Sequence, residues 1–134
     1  SGKNNLSFDL WITDNQSSEP STITHEIMIW LSSEGFWPAG SRVDTFEIDG
    51  KEIGLWKKEN HNPLGDNEWT FLAFVYQSDY TEGTINIYDF LDYLIEKGHI
   101  ESESYLSGIQ LGNEIVSGYG KSHINNFEIL FCDK

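Results

Sequence analysis

The sequence predicts an all-β sandwich of antiparallel sheets with one packed helix. Three observations carry that reading. Most segments alternate apolar and polar residues at period two, with turn-forming residues between them. Asp49-Gly50 lies between two such segments and is the strongest short hairpin signal in the chain. One stretch, near residues 87–97, changes to helical spacing.

Leu6 to Ile12 reads as the first strand, and a polar loop with Pro20 inside it follows from Thr13 to Ser21. Thr24 to Leu31 is the strand around which the chain is organised. Glu26, Met28 and Trp30 fall on one of its faces; Ile27, Ile29 and Leu31 fall on the other. The second face is aliphatic and belongs in a core. The first sets a carboxylate, a thioether and an indole in a row, where a solvent-facing strand would carry Thr, Lys or Ser. Taken alone, that face fits the floor of a sugar-binding groove, and it also fits an ordinary strand covered by a neighbouring element.

Gly35 to Gly40 is an aromatic loop between breakers, with Phe36, Trp37 and Pro38 inside it. Val43 to Ile48 and Glu52 to Lys57 are the hairpin strands around Asp49-Gly50. His61 to Asp66 is turn-rich. Trp69 to Tyr76 is apolar at nearly every position, so both of its faces are expected to be covered. In the helix, Ile87, Phe90, Leu91, Leu94 and Ile95 form the apolar stripe; Asn86 is placed to cap it, Asp89 lies in its first turn, and Gly98 is placed to stop it after Lys97. The stripe is expected to cover a sheet face, through the Trp69 to Tyr76 strand.

In Leu106 to Gly118 the alternation is unusual. Ile109 and Leu111 face one way; Gly108, Gln110, Gly112 and Glu114 face the other. Two glycines on one face strip it of bulk, which suits a ligand approaching the backbone; an edge strand with a bulge is equally compatible. His123 to Phe131 reads as a closing strand with Phe127, Ile129 and Phe131 inward.

Length and charge narrow the function. The 134 residues have material for one core and are read as a single domain, 1–134. Lys and Arg total 8 against 22 Asp and Glu, a net charge of −14, which argues against nucleic acid and anionic membrane surfaces as partners. No apolar run is long enough to span a bilayer. Cys132 is the only cysteine, so no intrachain disulfide or cysteine zinc cluster is expected. His25, His61, His99 and His123 show no ligand spacing, and no loop has a calcium-binding pattern; no metal or cofactor is expected. Glu26 and Glu114 lie on two strands with groove-like faces, and cleavage of a glycosidic bond needs such a pair of carboxyl groups.

The runs Phe8-Asp9-Leu10-Trp11, His25-Glu26-Ile27-Met28-Ile29-Trp30-Leu31, Pro38-Ala39-Gly40 and Gln110-Leu111-Gly112-Asn113-Glu114 resemble glycoside hydrolase family 12 in order and spacing, over nearly the whole chain. The resemblance implies a β-jelly roll, secretion, and retaining endo-hydrolysis of β-1,4-glucans: cellulose, mixed-linkage glucan or xyloglucan. It implies that Glu26 is the nucleophile, Glu114 the general acid/base, and Asp9 the acid that assists the nucleophile. The substrate-binding residues expected with them are Trp11, Met28, Trp30, Trp37, Pro38, Gln110 and Asn113. The sequence departs from the family where Ile115-Val116 replace the usual Pro-Phe after the acid/base. Family chains also begin with several further strands, which this sequence lacks. A second chain, a preceding segment or self-association is therefore expected to complete the sandwich, because Trp69 to Tyr76 and Leu106 to Leu111 carry much apolar surface. The alternative readings are a noncatalytic carbohydrate-binding module, which needs aromatic platforms and no carboxylate pair, and one part of a two-chain protein that is inactive alone.

Overall fold

The computed structural model describes residues 2–15, 20–63, 65 and 67–118, with residues 2, 3, 20 and 113–118 described by backbone only. Among the described residues are six strands, one α-helix and a single 3-10 turn (Pro20–Thr22): β1 (Gly2–Thr13), β2 (Ile23–Glu34), β3 (Ser41–Ile48), β4 (Lys51–His61), β5 (Trp69–Tyr76), α1 (Ile87–Glu96) and β6 (Tyr105–Gly118). The strands lie in one sheet in the order β3-β4-β5-β2-β1-β6. Every pairing is antiparallel except β2–β5, which is parallel. That exception departs from the all-antiparallel expectation. Its cause is connectivity: the β3–β4 hairpin returns the chain beside β2 running the same way.

Local chemistry explains the elements the sequence predicted. Asp49 (φ 51°) and Gly50 (φ 78°) both take left-handed backbone, the two-residue turn that matches strand twist. The Asn86 side chain accepts from the Tyr88 amide at 3.1 Å and starts α1, and Gly98 (φ 78°) ends it beyond Lys97. Strands β1, β2 and β4 run longer than the apolar alternation alone suggests, because pairing continues into their polar ends. The expected closing strand from His123 to Phe131, and Cys132, lie outside the described residues.

The sheet buries both faces. On one, Leu10, Ile12, Ile27, Ile29, Leu55, Leu72 and Phe74 form a core covered by Phe90, Leu91 and Leu94 of α1. Phe74 meets Phe90 edge-on at 4.9 Å, so the helix does rest on β5. Ile95, expected in the stripe, turns to solvent. On the other face Met28, Trp30, Trp56, Phe71, Ala73 and Val75 are buried, with Phe36 and Ala39 packed against them from the loop after β2. β5 therefore hides its apolar residues on both faces, as its sequence predicts: it is central, with α1 over one face and the 35–40 loop over the other, so its apolar surface is accommodated without a further covering element. Exposed apolar surface remains on β6, at Tyr105 and Leu106.

Candidate active site

The strand register lines up side chains in transverse rows on the face opposite α1. One row runs Arg42, Trp56, Ala73, Met28, Asp9, Gln110 and crosses all six strands. The next runs Lys58, Phe71, Glu26, Trp11, Gly108. A polymer lying across the strands would meet these rows lengthwise.

Glu26 is 8% exposed, an acidic group withdrawn among aromatic rings. The Trp69 indole Nε1 donates to its Oε1 at 3.1 Å. Trp11, half-buried, faces it across β1 and meets Trp69 edge-on at 5.4 Å. Asp9 is half-buried and lies opposite Met28, two pairs along the register from Trp11 and Glu26 and next to them on this face. Met28 and Trp30 are buried; the Trp30 indole donates to the Met28 sulfur at 3.5 Å. They form floor rather than exposed wall.

The aromatic loop supplies the exposed platform. Trp37 is 67% exposed and stacks on Trp56 at 5.6 Å with 14° between the planes. The Arg42 guanidinium lies over the Trp56 ring at 5.3 Å. Pro38 is buried within the loop. Gly40 (φ 86°) lets the loop close onto β4, since a Cβ there would overlap the carbonyl oxygen of Lys57.

Gln110 is exposed, opposite Asp9. A Cβ at Gly108 or Gly112 would meet nothing within 4 Å, so the space above β6 is open. The backbones of Asn113 and Glu114 pair with Leu6 and Asn5; their side chains lie outside the described residues. Glu26 and Glu114 occupy strands on either side of β1, but opposite Trp11 and Asn5 respectively. Six residues of strand are ~20 Å, so the two positions are not level.

The sequence reading missed Trp69, Trp56, Phe71 and His61 as parts of this face. The one available signal was parity: Trp69 and Phe71 share the alternation of Ala73 and Val75, while the partner across β5 is not written locally. His61 packs on Phe71 at 5.0 Å and Trp69 at 6.3 Å. Burial, then Lys58, pushes its imidazole below the usual histidine range. On the α1 side, Lys57 Nζ lies 3.2 Å from His99 Nδ1, and burial lowers both His25 and His99. There too the Tyr93 hydroxyl donates to Asp44, which lowers the Asp44 carboxyl. Among the described residues no three His, Cys, Asp or Glu side chains are grouped to hold a metal, and no helix is long and apolar enough to cross a membrane.

Residues 2–131 match the family model described as Glycosyl hydrolase family 12. Endoglucanase S of Pectobacterium parmentieri is 29% identical over 130 residues, 96% of this chain and 49% of that protein. A protein of Phytophthora nicotianae named an inactive glycoside hydrolase is 26% identical over 117 residues, 84% of this chain and 45% of that protein. Among solved structures, a native family 12 xyloglucanase from Bacillus licheniformis is similar with a TM-score of 0.78 and 28% identity, over 86% of this chain and 50% of that one. The chain spans about half the length of the curated relatives it matches.

Proposed function

This chain belongs to glycosyl hydrolase family 12, a family of jelly-roll β-sandwiches, and we propose that it carries the catalytic face of an extracellular endo-acting β-1,4-glucan hydrolase. One observation carries the reading: Glu26 is a nearly buried carboxylate held by an indole N–H, on a sheet face lined with aromatic rings. The family match over residues 2–131 supports the same assignment. Glucan hydrolysis is the activity for which the matched endoglucanase and xyloglucanase are named.

The proposed mechanism is double displacement. A Glu26 oxygen attacks the anomeric carbon while Glu114, protonated and brought level with Glu26 by a shift of β6 along β1 from the described register, gives its proton to the departing glycosidic oxygen. Water then attacks the same carbon, Glu114 takes the water's proton, and Glu26 leaves as carboxylate. Asp9, on the same face two pairs along from Glu26, assists it by orienting the carboxylate. Glucose rings stack on Trp37 and Trp11, and Gln110 and Asn113 supply polar contacts.

The test is Glu26→Gln, which keeps shape and removes the charge. Folding should persist, and turnover of a soluble β-glucan should fall by more than about a thousandfold; wild-type turnover would overturn the assignment. In the wild type, early proton NMR of the product should show the β-anomer first, and an initial α-anomer would rule out the covalent intermediate.

A second reading has its own observation. The rows of Glu26 and Glu114 are not level, and one relative is named inactive. On that reading the face binds glucan without cutting it. Saturable glucan binding with no reducing ends released, by wild type as by Glu26→Gln, would establish it.

A further inference from the structure

We propose that Trp69 is a positioning residue for Glu26, in addition to Asp9. The inference rests on Glu26 being the nucleophile and adds what holds it. Trp69 opens β5, pairs with His61 of β4 and shares the face of Phe71, Ala73 and Val75. It is 6% exposed. Its ring is wedged between Trp11 of β1, edge-on at 5.4 Å, and His61 of β4 at 6.3 Å. From that wedge its Nε1 reaches Glu26 Oε1 at 3.1 Å.

The chemistry of the indole makes the contact more than packing. An indole N–H donates only; it has no lone pair to offer and no proton to lose in the working range. Facing a carboxyl group, it therefore favours the ionised form at every pH where the protein is folded. A lysine there would also favour ionisation, but as a mobile charge that could pair elsewhere. A serine could rotate and accept from a protonated carboxyl. The rigid wedge also fixes the plane of the Glu26 carboxylate, because one oxygen is tied to a ring that cannot turn between Trp11 and His61. The titratable groups of the strands beside it are Asp9 on β1 and His61 and Lys58 on β4. Burial lowers His61, so its imidazole brings no added charge beside the Trp69 ring near pH 7.

In the proposed reaction the contact acts twice. It holds the attacking carboxylate in the first step. In the second, Glu26 leaves the anomeric carbon and regains its negative charge against a donor already in place. Both steps lose rate when the N–H is removed, while the stacking surfaces that bind sugar remain.

Two measurements test this. The first needs no catalysis: the indole N–H region of a ¹⁵N-labelled chain, which has five tryptophans. Trp69→Phe identifies the Trp69 signal by its loss, and the other four signals report whether that variant is folded. The Trp69 signal should shift through one carboxylate titration in the wild type and stay flat in Glu26→Gln. A signal that does not titrate, or titrates equally in Glu26→Gln, overturns the proposal. The second is kinetic. Trp69→Phe should lower kcat on soluble β-glucan roughly 10- to 100-fold with KM unchanged, and move the acid limb of the pH–rate profile up by about one unit. A raised KM with an unmoved acid limb overturns the positioning role. If Glu26→Gln keeps its turnover, the nucleophile assignment fails. If Glu26→Gln is dead while Trp69→Phe behaves as wild type, the assignment stands and Trp69 is packing alone.

Discussion

Gly40 holds the aromatic loop against β4 at a φ of 86°, with no room for a Cβ beside the Lys57 carbonyl. Gly40→Ala therefore meets both an unfavourable backbone and a collision, and should destabilise by about 1–3 kcal/mol. Urea unfolding followed by tryptophan fluorescence would measure it. Because the loop carries Trp37, the variant should also lose the Trp37–Trp56 stack. Unchanged stability would mean that the loop can lift away without cost. At this scale the sequence showed the residue types but not their company. Glu26, Met28 and Trp30 were legible as one face because alternation is a local signal. The Trp69 donor was not, because it comes from 43 residues away.

Elements were most legible where a turn or cap is written in a few adjacent residues. The Asp49-Gly50 hairpin, the start of α1 at Asn86 and both ends of β5 all fall where local chemistry puts them. Strand partners were not legible, since nothing within β5 names β2 as its neighbour. Strand β6 shows the same limit more sharply. Among the described residues it pairs only with β1, and it offers Gly108 and Gly112 where other strands offer side chains to interlock. Glu114 becomes level with Glu26 only if β6 moves six residues along β1, an even number that keeps its groove face. A cysteine pair at Ser7 and Gly112, which are opposite one another, would lock the described register. With Cys132 replaced by serine, the oxidised double variant should fail to hydrolyse soluble β-glucan and recover on reduction. Full activity in the oxidised form would show that the two carboxyl groups already meet in this register.

At the scale of the molecule, three histidines among the described residues are pushed below their ordinary value chiefly by burial: His25, His61 and His99. Each takes up protons more readily unfolded, near pH 6.5, than folded. Their contribution is therefore complete above about pH 6.5 and is lost as pH falls from there toward the folded values. The melting temperature should drop between about pH 7 and pH 5, and drop less in His25→Gln/His99→Gln; equal slopes would show that these imidazoles are not linked to folding. Acidic denaturation of this kind adds to the self-repulsion of a chain with net charge −14 only above the carboxylate range, since below it that charge is neutralised. The parallel β2–β5 pairing has a kinetic meaning as well. It joins two groups of strands, β3-β4-β5 and β6-β1-β2. The β3–β4 and β1–β2 pairs are each neighbours in the chain, whereas every β2–β5 partner is 45 residues distant. Closing that loop costs entropy before any contact rewards it, so the seam forms after the local β3–β4 and β1–β2 pairs; the β1–β6 pairing, from Thr13↔Tyr105 to Gly2↔Gly118, closes a longer loop still. The hydrogen bond from Trp69 to Glu26 crosses the same seam. A chain with its local strand pairs and its helix formed but the seam open would hold Glu26 without the Trp69 hydrogen bond; the proposed nucleophile acquires that contact only when β2 and β5 come together.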